Sequence, residues 1–292
     1  MANTMTPLED QPKLAAAIGL SGLSLKREDL HPYGSHKGRS IPLMIDRYYQ
    51  NGDRRFAISS SGNAALAAVM HAQKLNAEGK VLELDVFVGN HAAPHKVEKL
   101  KRFAGEHIRI LVKERPLQAL TQTSQEGIRS LRQSTDDSAL IGYGSLAEEL
   151  AKAKGVGAVF IGTSSGTTAQ ALAEYFLGKK LPIQVHIVQT SSCHPMAEAF
   201  ESYDGPDEPS IADAIVDKTA YRKDKLVPLI EKTGGRGWSA TNDDIRAAQE
   251  LAKKHAGLDI STNSALSVAG AMKAAVLGYK IKGTVVCLIC GD

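Results

Sequence analysis

Short apolar runs alternate along this chain with stretches in which apolar residues recur every three or four positions. Residues 56–60, 82–88 and 108–112 read as strands, and helical patterns fall at 64–75 and 96–103. The rhythm resumes with a strand at 156–161, a helix at 169–177 and a strand at 183–189, then helices at 223–232, 243–255 and 265–277 and a last strand at 284–289. Near the start, the apolar run 23–25 is interrupted by charged residues, Pro32 and Gly34 before a helical pattern at 41–49, which predicts strand, turn, helix. Strands and helices in this alternation predict an α/β fold of two lobes, mainly parallel sheet flanked by helices. Segments 125–145 and 190–220 are richer in polar and turn residues and are expected to be lobe connections or active-site loops.

A length of 292 residues is enough for a substantial core in two lobes. Lysine and arginine total 35 against 32 aspartate and glutamate, a formal charge of +3 that argues against nucleic acid or an anionic membrane as partner and for a small molecule. No apolar run approaches the roughly 20 residues of a membrane helix, and the opening MANTMTPLEDQPK lacks a basic region followed by an apolar core, so a cytoplasmic location is expected. The 3 cysteines do not make a disulfide framework. Cys287 and Cys290 lie in the apolar run TVVCLIC, where residues three apart on a strand face opposite sides, so no shared metal or redox pair is expected of them. His91 and His95 have helical metal-ligand spacing but no acidic or cysteine partner nearby, and no metal site is assigned.

The chemistry concentrates at strand-to-helix junctions, where ligands gather in folds of this class. In LKREDLHPYGSHKGR, Ser35 is a candidate N-cap, which would place Lys37 in the first turn of a helix. Unpaired N–H groups and the positive end of the helix dipole disfavour an ammonium there, and a neutral amine is what a Schiff base with an aldehyde requires. The same spacing also fits an ordinary exposed lysine near a helix start. The turn Ser59-Ser60-Ser61-Gly62-Asn63 opens the next helix, and its N–H groups and hydroxyls suit a carboxylate. The loop Gly162-Thr163-Ser164-Ser165-Gly166-Thr167-Thr168 has the features of a phosphate cradle: glycines, hydroxyl donors and a helix N-terminus behind them. It lacks the lysine of a nucleotide P-loop and the G-x-G-x-x-G of a dinucleotide fold. Either turn alone also reads as simple helix capping. Arg39, Lys26 and Arg27 are candidates for anionic substrate groups, with Lys26 and Arg27 also expected to pair with Glu28 and Asp29 on the surface.

Taken in order, the lysine, the Ser-Gly-Asn turn, the Gly/Ser/Thr loop and the terminal Ile289-Cys290-Gly291-Asp292 resemble the pyridoxal-phosphate enzymes of fold type II, the tryptophan-synthase-β-like superfamily, over nearly the whole chain. The resemblance implies that Lys37, in Ser35-His36-Lys37-Gly38-Arg39, binds the coenzyme as a Schiff base. It further implies that Ser60, Ser61, Gly62 and Asn63 meet the substrate carboxylate, with Asn63 also on the coenzyme hydroxyl. Gly162, Thr163, Ser164, Ser165, Gly166 and Thr167 would hold the phosphate, and Cys290 would face the pyridine nitrogen, with Asp292 as the other candidate. It implies a larger cofactor-binding domain of residues 1–40 and 144–292 and a smaller mobile domain of 41–143, and a homodimer is the expected assembly. SIADAIV is similar to threonine dehydratases, and the stretch from EKTGGRGWSATNDD to SALSVAGAMKA has the layout of threonine synthase. Gly38 stands where the family usually has Asp, Ser164 and Ser165 replace a Thr-Gly pair, and Ser261 stands where many members carry Glu.

The activity implied is elimination or replacement on a hydroxy or O-activated amino acid, as in threonine synthase and threonine dehydratase, with Lys37 as the base on the α-proton. A neutral Cys290 at the ring nitrogen favours loss of a leaving group. Alternatives are a cysteine-synthase-like β-replacement, a non-catalytic regulatory relative motivated by Gly38 and Ser261, and a nucleotide-binding protein using the 162–168 loop.

Overall fold

The computed structural model describes residues 4–203 and 208–291, and they fall into compact units of different make-up. The larger comprises the chain up to His31 together with Tyr143 onward; the smaller is the continuous segment Pro32–Gly142. Residues 32–40, grouped with the larger domain on sequence grounds, pack within the smaller unit, and Lys37 goes with them.

The larger unit is built on a six-stranded sheet. Its strands are β1 (Leu8–Asp10), β2 (Leu23–Arg27), β7 (Val156–Gly162), β8 (Gln184–Thr190), β9 (Gly237–Ala240) and β10 (Thr284–Ile289), numbered to leave β3–β6 for the smaller unit. The order is β1-β2-β10-β7-β8-β9, all neighbours parallel except the β1–β2 edge pair. The central strands β7, β10 and β8 are buried on both faces because helices cover both, as a parallel sheet requires. Helix Thr262–Val276 runs against β7, β8 and β10; its run of Ala, Ser and Gly at Ser264, Ala265, Ser267, Ala269, Gly270 and Ala271 lets the backbone approach the sheet closely. Trp238, Phe160, Leu25 and Ile289 are among the side chains that fill this core.

The smaller unit carries a four-stranded, wholly parallel sheet. Its strands are β3 (Arg55–Ser59), β4 (Glu83–Gly89), β5 (Ile108–Lys113) and β6 (Arg129–Ser130), in the order β5-β4-β3-β6. Helix Asn63–Ala77 buries Ala65, Ala68, Val69 and Ala72 in the same cluster as Phe56, Ile58, Val86 and Val88. The polar stretch 125–145 is structured: it holds β6, helix Ser138–Gly142 and the start of helix Gly144–Lys152. Gly142 ends this unit at a close approach of backbone to backbone, since a Cβ there would run into the carbonyl oxygen of Arg39 and Cα of Ser40.

Other elements the apolar pattern misses are β1, helix Pro12–Ala17, helix Pro116–Gln125 and β9. The stretch 190–220 is mostly irregular where it is described, with one short 3-10 turn at Ala197–Ala199. Among the described residues no helix is long and apolar enough to cross a membrane.

Candidate active site

Lys37 does not stand in the first turn of an α-helix. Ser35 caps a four-residue 3-10 turn, His36–Arg39, with its Oγ accepting the Lys37 N–H at 3.3 Å, and a separate α-helix starts at Ile41. Pro42 explains the break. Continued from His36, an α-helix would set the proline ring against the carbonyl of Gly38. The 3-10 turn is fastened on both sides within the smaller unit. Upstream, the Tyr33 hydroxyl lies 2.8 Å from His71 Nδ1, and His71 Nε2 lies 2.8 Å from Asp46 Oδ1. With neutral imidazole this is a directed chain, Tyr33 O–H to His71 and His71 N–H to Asp46. Burial, reinforced by the Asp46 charge, raises the Tyr33 pKa above that of a free phenol and keeps the donor protonated. Downstream, the Ser40 hydroxyl donates to Ala139 O and accepts from Gln133 Nε2, both at 2.7 Å. Lys37, on a backbone held at both ends, is itself half-buried.

The Ser-Gly-Asn turn lies in the same unit. β3 delivers it: Ser60 N–H donates to Phe87 O at 3.2 Å, Ser60 Oγ accepts Gly62 N–H at 3.3 Å, and helix Asn63–Ala77 begins directly after. Ser60, Ser61, Gly62 and Asn63 are all half-buried at a helix N-terminus, whose first N–H groups have no partner within the helix.

The Gly/Ser/Thr loop belongs to the larger unit, between β7 and helix Thr167–Gly178. Thr163 is built into the framework, its N–H on Val188 O and its hydroxyl on Ile161 O, each at 2.8 Å. Gly166 caps the helix in the left-handed region at φ 79°, and a Cβ there would also sit 2.7 Å from Leu226 Cδ2. Ser165 and Thr167 hydroxyls lie 2.9 Å apart, and Ser164 turns toward Asp217.

Cys290 follows β10 in the same unit, its side chain buried. Its N–H donates to Ser264 Oγ at 3.1 Å, while the Ser261 hydroxyl donates to Gly291 O at 2.7 Å and accepts Ser264 N–H at 3.2 Å. Ser261 therefore has its own task, capping helix Thr262–Val276 and clamping the strand end. Cys287 lies in the core, its thiol on Ser267 O at 3.5 Å, and complete burial pushes it well above the usual thiol range. Asp292, the other candidate at the ring nitrogen, lies outside the described residues.

Other sequence expectations change. Lys26 is not on the surface: it is 2% exposed, with Nζ on Thr6 O at 2.6 Å and paired with Glu149 rather than Glu28. Position 26 points into the larger unit, and the charge pattern of KRED could not show a partner 123 residues away. Arg27 does meet Asp29, at 2.7 Å, and also Glu9 at 3.0 Å. Arg39 is buried. His91 precedes helix Pro94–Lys101, so it and His95 do not form a helical pair; both are exposed, and the described residues contain no cluster of three or more His, Cys, Asp or Glu that could hold a metal.

A lysine on a fastened turn and a polar turn at a helix start lie in the smaller unit, and a hydroxyl-rich helix start lies in the larger. The chain belongs to the family described as pyridoxal-phosphate dependent enzyme, which matches residues 1–291. It is 28% identical over 306 aligned residues to threonine synthase of Methanosarcina acetivorans, covering 98% of this chain and 74% of that one. Among solved structures it superposes on a pyridoxal 5'-phosphate-dependent aspartate racemase with a TM-score of 0.82 at 19% identity, covering 99% and 90% of the two chains. The processed form of threonine deaminase isoform 2 from Solanum lycopersicum gives 0.80 at 20% identity, covering 99% and 84%. These likenesses show the fold, and family membership makes pyridoxal phosphate the coenzyme.

The residues present fit that group. The loop's hydroxyls at Ser165 and Thr167, at the N-terminus of a helix that Gly166 caps, are donors of the kind that suit a phosphate ester. Lys37 is a primary amine, the kind of group with which an aldehyde condenses.

Proposed function

We propose that this enzyme is a lyase of the threonine synthase and threonine dehydratase kind, acting on a hydroxy or O-activated amino acid, with Lys37 as its coenzyme-binding and catalytic residue. The observation that carries the reading is Lys37 on a capped 3-10 turn anchored by Tyr33 and Ser40, in a chain similar to threonine synthase along 98% of its length.

In this reading Gly162, Thr163, Ser164, Ser165, Gly166 and Thr167 hold the phosphate, and Ser60, Ser61, Gly62 and Asn63 receive the substrate carboxylate at the start of their helix. Bound pyridoxal phosphate supplies an electron sink for the charge that develops on the substrate α-carbon. The Lys37 amine takes the α-proton and holds it for return or for the leaving group. Cys290, a thiol rather than a carboxylate, would be a neutral neighbour for the pyridine nitrogen, which would suit departure of a β- or γ-substituent. The clamp of half-buried Ser261 and buried Ser264 fixes the backbone beside it.

The test has two readouts. After incubation with pyridoxal phosphate and borohydride reduction, peptide mass spectrometry should find the coenzyme on Lys37, and Lys37→Ala should remove it. A panel of serine, threonine, O-acetylserine and O-phosphohomoserine, followed for pyruvate, 2-oxobutyrate, threonine and acetate, should then show turnover of threonine or O-phosphohomoserine. Turnover of O-acetylserine alone favours a cysteine-synthase-like replacement. Coenzyme on Lys37 with no turnover of any of them favours a binding or regulatory protein, the reading suggested by Gly38 and Ser261.

A further inference from the structure

The loop after β7 is met by an acidic side chain from the irregular segment far downstream. The Ser164 hydroxyl donates to Asp217 Oδ2 at 2.9 Å, and Ser164 Oγ accepts the backbone N–H groups of Val216 and Asp217 at 3.3 Å each. A serine hydroxyl has one proton and two acceptor positions. These three bonds use all of them. Ser164 as it stands has no proton left for an anion, and the group holding that proton is a carboxylate.

An anion-binding turn with a carboxylate one hydroxyl away contains a conflict. A phosphate oxygen bonded to Ser164 and the Asp217 carboxylate would need the same proton, and two negative groups would share a short span in a partly buried site. The chain around Asp217 can give way locally. Ala212 and Ile215 are buried in the core and Ala214 N–H is held by Asn263 Oδ1 at 3.0 Å, whereas Val216 is 66% exposed. Residues 216–218 are thus a short flap hinged on an anchored base.

We propose that Asp217 and a phosphate ester are mutually exclusive partners of Ser164, so that occupation of the cradle takes the hydroxyl from Asp217 and releases residues 216–218. The inference rests on the reading that the 162–168 loop holds the coenzyme phosphate, and it makes Asp217 a residue that sets phosphate affinity without touching the phosphate. Linkage makes the effect reciprocal: what phosphate does to the flap, removal of the flap's charge does to phosphate.

Inorganic phosphate is the probe. By calorimetric titration, Asp217→Asn should bind it about tenfold more tightly than the unaltered chain, the size expected from one partly screened like charge at close range. Pyridoxal, which lacks the phosphate, should bind both proteins equally. In the unaltered chain, hydrogen exchange at the Val216 and Asp217 amides should speed up when phosphate is added, a readout that needs no variant to fold. Equal or weaker phosphate binding by Asp217→Asn, no phosphate binding by either protein, or slower exchange at these amides would each overturn the proposal. Failure of the coenzyme reading shows separately, as absence of coenzyme on Lys37.

Discussion

His186 on β8 should make the larger unit acid-sensitive well above the pH at which carboxylates protonate. Its ring is completely buried and stacks on Phe160 with centroids 4.3 Å apart and planes 5° from parallel. Nδ1 accepts Trp238 Nε1–H at 3.1 Å and Arg236 N–H at 3.3 Å, so Nε2 carries the proton of the neutral ring. Burial first, and the Arg236 charge second, pull its pKa from 6.5 down to about 3. The folded value lies below the unfolded one, so protons favour the unfolded chain: the stabilisation is complete above pH 6.5 and is lost as pH falls through that value toward 3. At about 1.4 kcal/mol per pH unit, the loss attributable to this one ring reaches about 2 kcal/mol by pH 5. Trp238, the only tryptophan in the chain, touches His186 and so reports the event by fluorescence. Urea titrations at pH 7 and pH 5 should differ by about 2 kcal/mol more in the unaltered protein than in His186→Gln, which retains an acceptor but cannot titrate. The variant itself should lose about 1 to 3 kcal/mol at pH 7 through imperfect satisfaction of the Trp238 and Arg236 donors. Equal pH dependence in the two proteins would refute the reasoning, since the other histidines are common to both.

Lys26→Met should destabilise the larger unit by about 3 to 5 kcal/mol in chemical denaturation, because it removes the ammonium from beside the Glu149 carboxylate, which is 8% exposed. The double variant Lys26→Met, Glu149→Leu should recover most of that loss, and a double no better than the single would show that the pair matters for its packing instead. Gly142→Ala should fail to fold its unit or lose several kcal/mol, since the added methyl meets backbone at Arg39 and Ser40 rather than a movable side chain. A thermal melt within about 2 °C of the unaltered protein would contradict that close approach.

The central strands were readable because an apolar run buried on both faces leaves a mark in one dimension. The sequence places strands at 56–60, 82–88 and 284–289, against Arg55–Ser59, Glu83–Gly89 and Thr284–Ile289 in the structure. β9 was not readable: its four residues follow Gly234 and Gly235, which signal a turn, and only pairing with β8 makes them a strand. β1, Leu-Glu-Asp on an antiparallel edge, has no apolar run to betray it. For the candidate site, residue types at junctions were visible and their partners were not. Lys37 could be singled out from Ser35 and the chain that follows, but the 3-10 geometry depends on Pro42 being given its due, and the anchor through His71 and Asp46 is purely tertiary. Ser164 shows the same limit more sharply. Its type fits a phosphate donor, while its bond to Asp217 spans 53 residues that no local pattern connects.

The position of β10 has a consequence for how the chain is made. It lies between β2 and β7, pairing Leu25 with Cys287 on one side and Val159 with Val286 on the other. During synthesis the strand that joins the first and middle parts of the larger sheet leaves the ribosome after both of its neighbours. The smaller unit is one continuous segment, complete long before that. Until β10 arrives, β2 and β7 each present a bare edge, the kind of surface on which nascent chains pair wrongly. The sheet of the larger unit therefore stays in two halves until residues 284–289 have been made, and its closure is a late event of folding.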